Sequence, residues 1–146
     1  MPLLGLYRDI ILDHFKNPRN FGALANGGAR VRHENPSCGD ELEVHIVVND
    51  EARLADIKFY GRGCAISQSS ASLMTVAVKG KSIVEARHLI HRFMQMFNIE
   101  SGPPLETDLG DLKALEGVKE FPNRVPCAIL AWQALEKCLD LHTMNS

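Results

Sequence analysis

Three cysteines stand where the sequence predicts tight turns or the starts of helices. Cys38 lies in Pro36-Ser37-Cys38-Gly39-Asp40, Cys64 follows Gly61-Arg62-Gly63, and Cys127 follows Arg124-Val125-Pro126. Asp40 adds a carboxylate two residues after the first thiol, and glycine lets the backbone between them adopt conformations that a side chain forbids. Thiolates and carboxylates are metal ligands, and thiolates also accept sulfur. These segments therefore predict a site that binds a metal or handles sulfur.

Cys64 and Cys127 are both expected at the N-terminus of a helix. The amide N–H groups there favour the thiolate, which is the form that binds metals and attacks sulfur. Two cysteines in this position favour a functional site, and a role as small buried hydrophobic residues stays open for each. For Cys38 alone, a chance cysteine in a turn is an equally good interpretation.

Cys138 is predicted to be a core residue. It lies in the same helix as Cys127, on the face of Ala131, Ala134 and Leu135. At 1.5 Å per residue, the two sulfur atoms are about 16 Å apart. They therefore neither form a disulfide nor share one metal ion.

The histidines give a weaker signal than the cysteines. His14 falls on the apolar stripe of the first helix, and His45 is expected on the wet face of a strand. Hydrogen-bonded or solvated side chains are predicted for these two and for His88 and His91. His33, five residues before Cys38, is kept as a remote ligand candidate.

A cluster of serines follows Cys64 in the same helix, at positions 67, 69, 70 and 72. No base lies beside it in the sequence, and no Gly-x-Ser-x-Gly elbow is present. We expect these hydroxyl groups to bond back to the preceding helical turn rather than to act as nucleophiles.

Size and charge limit the remaining possibilities. The chain has 146 residues and 45% hydrophobic residues, so we expect one domain spanning 1–146. A net charge of -2 gives no field that gathers nucleic acid or anionic lipid. Four cysteines without a secretion signal favour reduced thiols in a cytoplasmic protein, and no segment reads as a membrane span.

The hydrophobic pattern predicts strands first and helices after them, apart from one amphipathic helix at the N-terminus. The strands are expected around 30–33, 41–48 and 54–60, and the helices over 4–15, 64–80, 82–97, 109–115 and 126–142. This order indicates the α+β class, as a three-stranded antiparallel sheet with helices packed mainly on one face.

The same motifs resemble those of the IscU/NifU-N family of iron–sulfur cluster assembly proteins. They are Asn35-Pro36-Ser37-Cys38-Gly39-Asp40, Gly61-Arg62-Gly63-Cys64-Ala65-Ile66-Ser67, and the stretch from Gly117-Val118 to Cys127-Ala128 and Ala131-Trp132. The similarity extends from Tyr7 to the last helix. Within the family, the long interval between the second and third cysteine, with the segment 103–117, is similar to the SufU branch.

The resemblance implies a ligand set and a set of partners. Cys38, Asp40, Cys64 and Cys127 would bind Zn(II) or, transiently, a 2Fe-2S or 4Fe-4S cluster. A pyridoxal-phosphate-dependent cysteine desulfurase of the SufS type would donate sulfur, and apo iron–sulfur proteins would receive the cargo. We expect Cys38 to be the sulfur acceptor, because its glycine-flanked loop can swing outward. A movable loop suits the transfer of sulfur from one protein to another. Arg62 and Arg124 are expected to offset the negative charge of the site.

The expected role is that of a scaffold or sulfur carrier, at most a zinc-dependent sulfurtransferase acting with a desulfurase, as a monomer or weak homo-oligomer. The sequence leaves scaffold and sulfur shuttle open. A zinc hydrolase or deaminase is an alternative, but Glu34 and Glu41 flank only one motif, so a general acid/base beside all the ligands is missing. A structural zinc-binding interaction domain is the other alternative. Structural zinc sites are closed, and the aspartate ligand and the glycines that expose the cysteines argue against such a closed site here.

Overall fold

The computed structural model describes residues 2–25, 28–36, 39–102 and 107–144. Three strands form one antiparallel meander in the order β1-β2-β3: β1 Ala29–Asn35, β2 Asp40–Val48 and β3 Leu54–Arg62. The α-helices are α1 Pro2–Lys16, α2 Ala65–Val78, α3 Ile83–Met96 and α4 Val125–Met144, with 3₁₀ segments at Gly110–Glu120 and Pro122–Arg124 before α4. The predicted α+β architecture is confirmed.

The sheet buries one face against the helices. Helix α4 packs across β1 and β2, while α2 packs against β3 and is covered in turn by α1. The strand side chains on this face are at most 1% exposed: Leu42, Val44, Ile46, Ile57 and Phe59. Alternation along each strand produces this face, because successive side chains point to opposite sides of a sheet.

Local sequence signals set the helix boundaries. The predicted capping box opens α3: the Ser82 side chain accepts from the backbone N–H of Glu85, whose carboxylate accepts from the N–H of Ser82. Further along, Phe93 of α3 stacks on Trp132 of α4 with ring centroids 4.2 Å apart. This stacking fixes α3 to the helix that carries Cys127.

The second face of the sheet is less open than expected. His45 was predicted on a solvated face but is only 1% exposed. The loop after α1 covers it: Leu24 donates its backbone N–H to His45 Nδ1 at 3.1 Å, and His45 Nε2 lies 3.0 Å from Glu43 Oε1. The prediction of solvent exposure was wrong because a loop distant in sequence closes over this strand, although the histidine is hydrogen-bonded as expected.

No helix within the described ranges is long and apolar enough to cross a membrane.

Candidate functional site

Three of the four predicted ligands meet where three elements begin. Asp40 is the first residue of β2, Cys64 immediately precedes α2, and Cys127 lies in the first turn of α4. One candidate ligand atom from each residue lies within 4.8 Å of the other two. The meander and the helix packing thus bring together residues that are far apart in the chain.

Burial differs across this cluster of Asp40, Cys64 and Cys127. Cys127 is fully buried and Asp40 is 4% exposed, whereas Cys64 is partly exposed. The first turn of α4 therefore points the Cys127 side chain into the protein.

Asp40 contacts Cys64 through both carboxylate oxygens. Asp40 Oδ1 accepts a hydrogen bond from the backbone N–H of Cys64 at 3.2 Å, and the Cys64 thiol donates to Oδ2 at 3.5 Å. Once the thiol ionises, a buried carboxylate and a thiolate at this distance repel each other. A cation between them removes the repulsion, so the donor set fits a metal ion.

Two glycines allow the end of β3 to approach this cluster. A Cβ atom on Gly63 would overlap Ser67 Oγ and lie 3.3 Å from Asp40 Cγ. Gly61 has φ +142°, and a Cβ there would overlap the backbone oxygen of Glu41. These glycines therefore permit close packing of β3, α2 and β2.

Arg124 supplies positive charge next to the sulfur atoms. The pKa of its guanidinium is raised, first by its hydrogen bond to Cys127 and then by the charges of Cys64 and Cys127 as thiolates. Arg124 is thus placed to offset the charge of the site, as expected. Arg62 is exposed at the end of β3, and the described contacts do not link it to the cluster.

Cys38 falls outside the described residues, so its role as ligand and sulfur acceptor stays a prediction. The flanking backbone is defined: Asn35 pairs with Asp40 across the two strands, and Gly39 donates its N–H to Asn35 O at 2.9 Å. Gly39 has φ +74°, a conformation that favours glycine. Cys38 therefore belongs to the four-residue connection 36–39, which ends directly before Asp40.

His33 is not part of the cluster. Its Nε2 atom lies 3.0 Å from Gln133 Oε1, and its Nδ1 atom lies 3.4 Å from Lys137 Nζ, both on α4. The suggestion of a remote ligand is not supported, because these contacts hold the ring against α4.

Cys138 is a core residue, as predicted. It is fully buried, and its thiol lies 3.3 Å from the backbone oxygen of Val44. Burial raises the pKa of Cys138 to about 12, which keeps it a neutral thiol.

Sequence reasoning missed the contact of Ser67 with the site. Its hydroxyl donates to the backbone oxygen of Cys64 at 3.1 Å and also lies 3.8 Å from Cys64 Sγ. Ser69 likewise bonds back to Ala65 O at 2.6 Å, as expected for a helical serine. The three-residue spacing from Cys64 at a helix start was the signal that could have identified Ser67, because i and i+3 share a helix face.

Comparisons with known proteins agree with these observations. Residues 6–128 match the NifU-like N terminal domain family. The chain is 46% identical to the zinc-dependent sulfurtransferase SufU of Bacillus subtilis over 90% of this chain and 88% of that protein. It is 40% identical to the iron–sulfur cluster assembly scaffold protein IscU of Streptococcus pyogenes, covering 92% of this chain and 82% of that protein.

Solved structures share the fold. A putative SufU scaffold of Fervidobacterium islandicum has a TM-score of 0.80 at 33% identity, over 90% of this chain and 94% of that one. The N-terminal part of a NifU-like protein from Brucella abortus has a TM-score of 0.85 at 25% identity, with both chains fully covered. The chain therefore belongs to the NifU-like N-terminal domain family of iron–sulfur cluster assembly proteins, as its cysteine motifs indicated.

Proposed function

We propose that this chain is an iron–sulfur cluster assembly protein of the SufU/IscU type, which carries sulfur or holds a nascent cluster at a site formed by Cys38, Asp40, Cys64 and Cys127. The observation that carries the proposal is the approach of Asp40, Cys64 and Cys127 ligand atoms to within 4.8 Å. The 46% identity to a protein named as a zinc-dependent sulfurtransferase supports the same role.

The described donors fit Zn(II). Two sulfurs and one carboxylate oxygen belong to the donor types that zinc takes in tetrahedral sites, and Cys38 would complete four ligands. Zinc in this position would hold the cysteines as ordered thiolates and neutralise part of their charge. Asp40 would orient Cys64, and Arg124 would stabilise the Cys127 thiolate.

Sulfur transfer would begin at Cys38. Its thiolate would attack the outer sulfur of a persulfide on a cysteine desulfurase, which forms a new S–S bond at Cys38. The S–S bond of the desulfurase breaks, and its cysteine leaves as a thiolate. No oxidant or reductant is needed, because sulfane sulfur is exchanged between two thiolates.

A hydrolase or deaminase is less well supported. Glu41 forms an ion pair with Arg32, and neighbouring strand positions such as Asp40 and Glu41 point to opposite faces of the sheet. Glu34 also lies near Arg32, at 3.9 Å. These glutamates thus face away from the side of the sheet where a general acid/base is needed.

Metal and sulfide analysis of two preparations, one purified in air and one purified without air, tests the proposal. For the protein purified in air we expect about one Zn per chain, because thiolate-rich tetrahedral sites select Zn. The combined Cys38→Ala, Cys64→Ala and Cys127→Ala variant should lose it. Acid-labile sulfide after anaerobic purification would favour the scaffold role over the sulfur shuttle. A wild-type protein without any transition metal, or undiminished Zn in the triple variant, would refute the ligand assignment.

Mass spectrometry after incubation with a SufS-type desulfurase and cysteine tests the acceptor. A persulfide should form on Cys38, and Cys38→Ala should abolish stimulation of desulfurase turnover. Persulfide confined to Cys64 or Cys127 would show that the acceptor is another ligand.

A further inference from the structure

Helices α2 and α4 are joined behind the cluster by a buried hydroxyl group. Ser70 Oγ donates to the backbone oxygen of Ala128 at 2.6 Å and accepts from Trp132 Nε1 at 3.1 Å. All three residues are fully buried. Ser70 was expected to bond back within its own helix, and it instead connects two helices.

The connection lies close to one of the candidate ligands. Ala128 directly follows Cys127, so the carbonyl that accepts from Ser70 belongs to the helical turn that carries this sulfur. Ser70 is six residues after Cys64, about 9 Å along α2 at 1.5 Å per residue. Because α2 is a continuous helix, a constraint at Ser70 is transmitted to the Cys64 end.

The partners of Ser70 have little freedom to move. The Trp132 indole is stacked on Phe93 with an interplanar angle of 12°. Buried N–H and carbonyl groups require hydrogen-bond partners, and the hydroxyl serves one of each. Removal of the hydroxyl leaves the Ala128 carbonyl without its bond to α2, so the first turn of α4 can shift, and it also leaves the indole N–H without the acceptor shown here.

We propose that Ser70 is a positioning residue that sets the placement of the Cys127 sulfur relative to Cys64 and Asp40. The inference rests on the proposed metal-binding function, because the position of the Cys127 sulfur is expected to affect the affinity of the site for metal. Ser70 touches neither a ligand atom nor the cargo. It acts through the Ala128 carbonyl and the first turn of α4.

Ser72 provides a matched control on the same helix. It is also fully buried, and its hydroxyl also makes two hydrogen bonds: one with His14 Nδ1 at 2.7 Å and one accepted from the backbone N–H of Arg19 at 2.9 Å. Those partners belong to α1 and the loop after it. Ser72→Ala therefore removes the same chemical group without changing a contact to α4.

Metal titration separates positioning from general stability. Apo protein would be titrated with Co(II) without air, and Zn affinity would be measured by competition with a chelator. Ser70→Ala is expected to weaken Zn binding by up to about 10-fold, the low end of what loss of a direct partner of a metal ligand causes, and to alter the Co(II) absorption bands. Ser72→Ala should keep the wild-type spectrum and affinity despite a similar fall in the denaturation midpoint.

A second substitution tests the route through Ala128. Trp132→Phe removes the indole N–H and keeps both an aromatic ring and the bond from Ser70 to Ala128. Its Zn affinity should stay near that of the wild type. An affinity as low as that of Ser70→Ala would overturn the assigned route, and equal effects of Ser70→Ala and Ser72→Ala would overturn the positioning role.

A metal-free measurement keeps this inference separate from the proposed function. In a Cys38→Ala, Cys138→Ala background, only Cys64 and Cys127 remain to react with dibromobimane, which fluoresces when it bridges two thiols. The rate of bridging should change after Ser70→Ala, because the placement of the buried Cys127 sets both its distance from Cys64 and its access to the reagent, and it should be unchanged in the Ser72→Ala control. If wild-type protein binds no metal, the proposed function fails while bridging still decides the inference. Unchanged bridging in the Ser70→Ala protein would refute it.

Discussion

Cys127 and Cys138 offer a matched pair of substitutions on one helix. Both side chains are fully buried, and each Cys→Ala change removes a single sulfur atom from α4. The environments differ: Cys127 lies in the cluster with Asp40 and Cys64, whereas the Cys138 thiol faces the backbone oxygen of Val44 at 3.3 Å. The two variants should therefore lose a similar amount of packing energy, whereas only Cys127→Ala should lose metal binding.

The magnitudes follow from what each sulfur contacts. Cys138→Ala leaves a small cavity and should lower the free energy of unfolding by about 1–2 kcal/mol. In a chain of this size that corresponds to a fall in Tm of about 2–8 °C. Cys127→Ala should show a comparable packing loss in the absence of metal. Zn at a concentration of 100 times Kd should add about 2.7 kcal/mol to the wild type and to Cys138→Ala.

Urea denaturation with and without Zn, combined with elemental analysis, measures both effects. Cys127→Ala should lose most of the Zn-dependent stabilisation, while Cys138→Ala should keep all of it. Equal loss of the Zn response in the two variants would show that Cys138 supports the metal site. A full Zn response in Cys127→Ala would remove Cys127 from the ligand set.

Three other perturbations test single parts of the site and of the fold. Asp40→Ala should still bind metal but transfer it more slowly to a chelator in stopped flow, because the hard carboxylate no longer exchanges with incoming ligands; faster transfer would make Asp40 a retaining ligand. Arg124→Ala should weaken Zn binding at neutral pH more than Arg62→Ala does, because without Arg124 protons compete better for the thiolates. Equal Zn affinities of the two variants in a chelator competition would contradict this. Burial lowers the pKa of His14 from 6.5, so the unfolded chain takes up the proton first and stability falls as pH drops below about 6.5. Denaturation across this range should show a smaller pH slope for His14→Gln than for the wild type, whereas equal slopes would assign the loss to other groups.

The sequence was sufficient to predict the elements and three members of the cluster. Alternating apolar residues identify the strands, and the capping box at Ser82 and Glu85 marks the start of α3. Each of these signals lies within a single strand or helix, so it can be recognised without knowledge of the tertiary structure. The cluster was predictable for a related reason: Cys64 and Cys127 stand at helix starts, and Asp40 stands at a strand start next to glycine. Because thiolates and carboxylates are both metal ligands, these three residues were expected to lie close together in one site.

Contacts between distant segments could not be predicted in the same way. The loop around Leu24 covers His45, and the hydroxyl of Ser70 reaches Ala128, 58 residues further along the chain. Neither partner is marked by periodicity, because both contacts use backbone groups that every residue carries. His33 shows the same limit, since its proximity to Cys38 in sequence did not reveal that the ring is held by Gln133.

The graded burial of the cluster limits the side from which a partner protein could reach it. Cys127 has no exposed surface and Asp40 almost none, whereas Cys64 is partly exposed. Pro36 and Gly39, the described residues of the β1–β2 connection, are both exposed. Under the proposed function, sulfur would therefore enter from the side of Cys64 and Gly39, and it would reach the buried Cys127 only after another ligand. A fully buried thiol at Cys127 suits retention of the cargo, whereas the proposed acceptor role of Cys38 would assign the exchange with other proteins to a different residue.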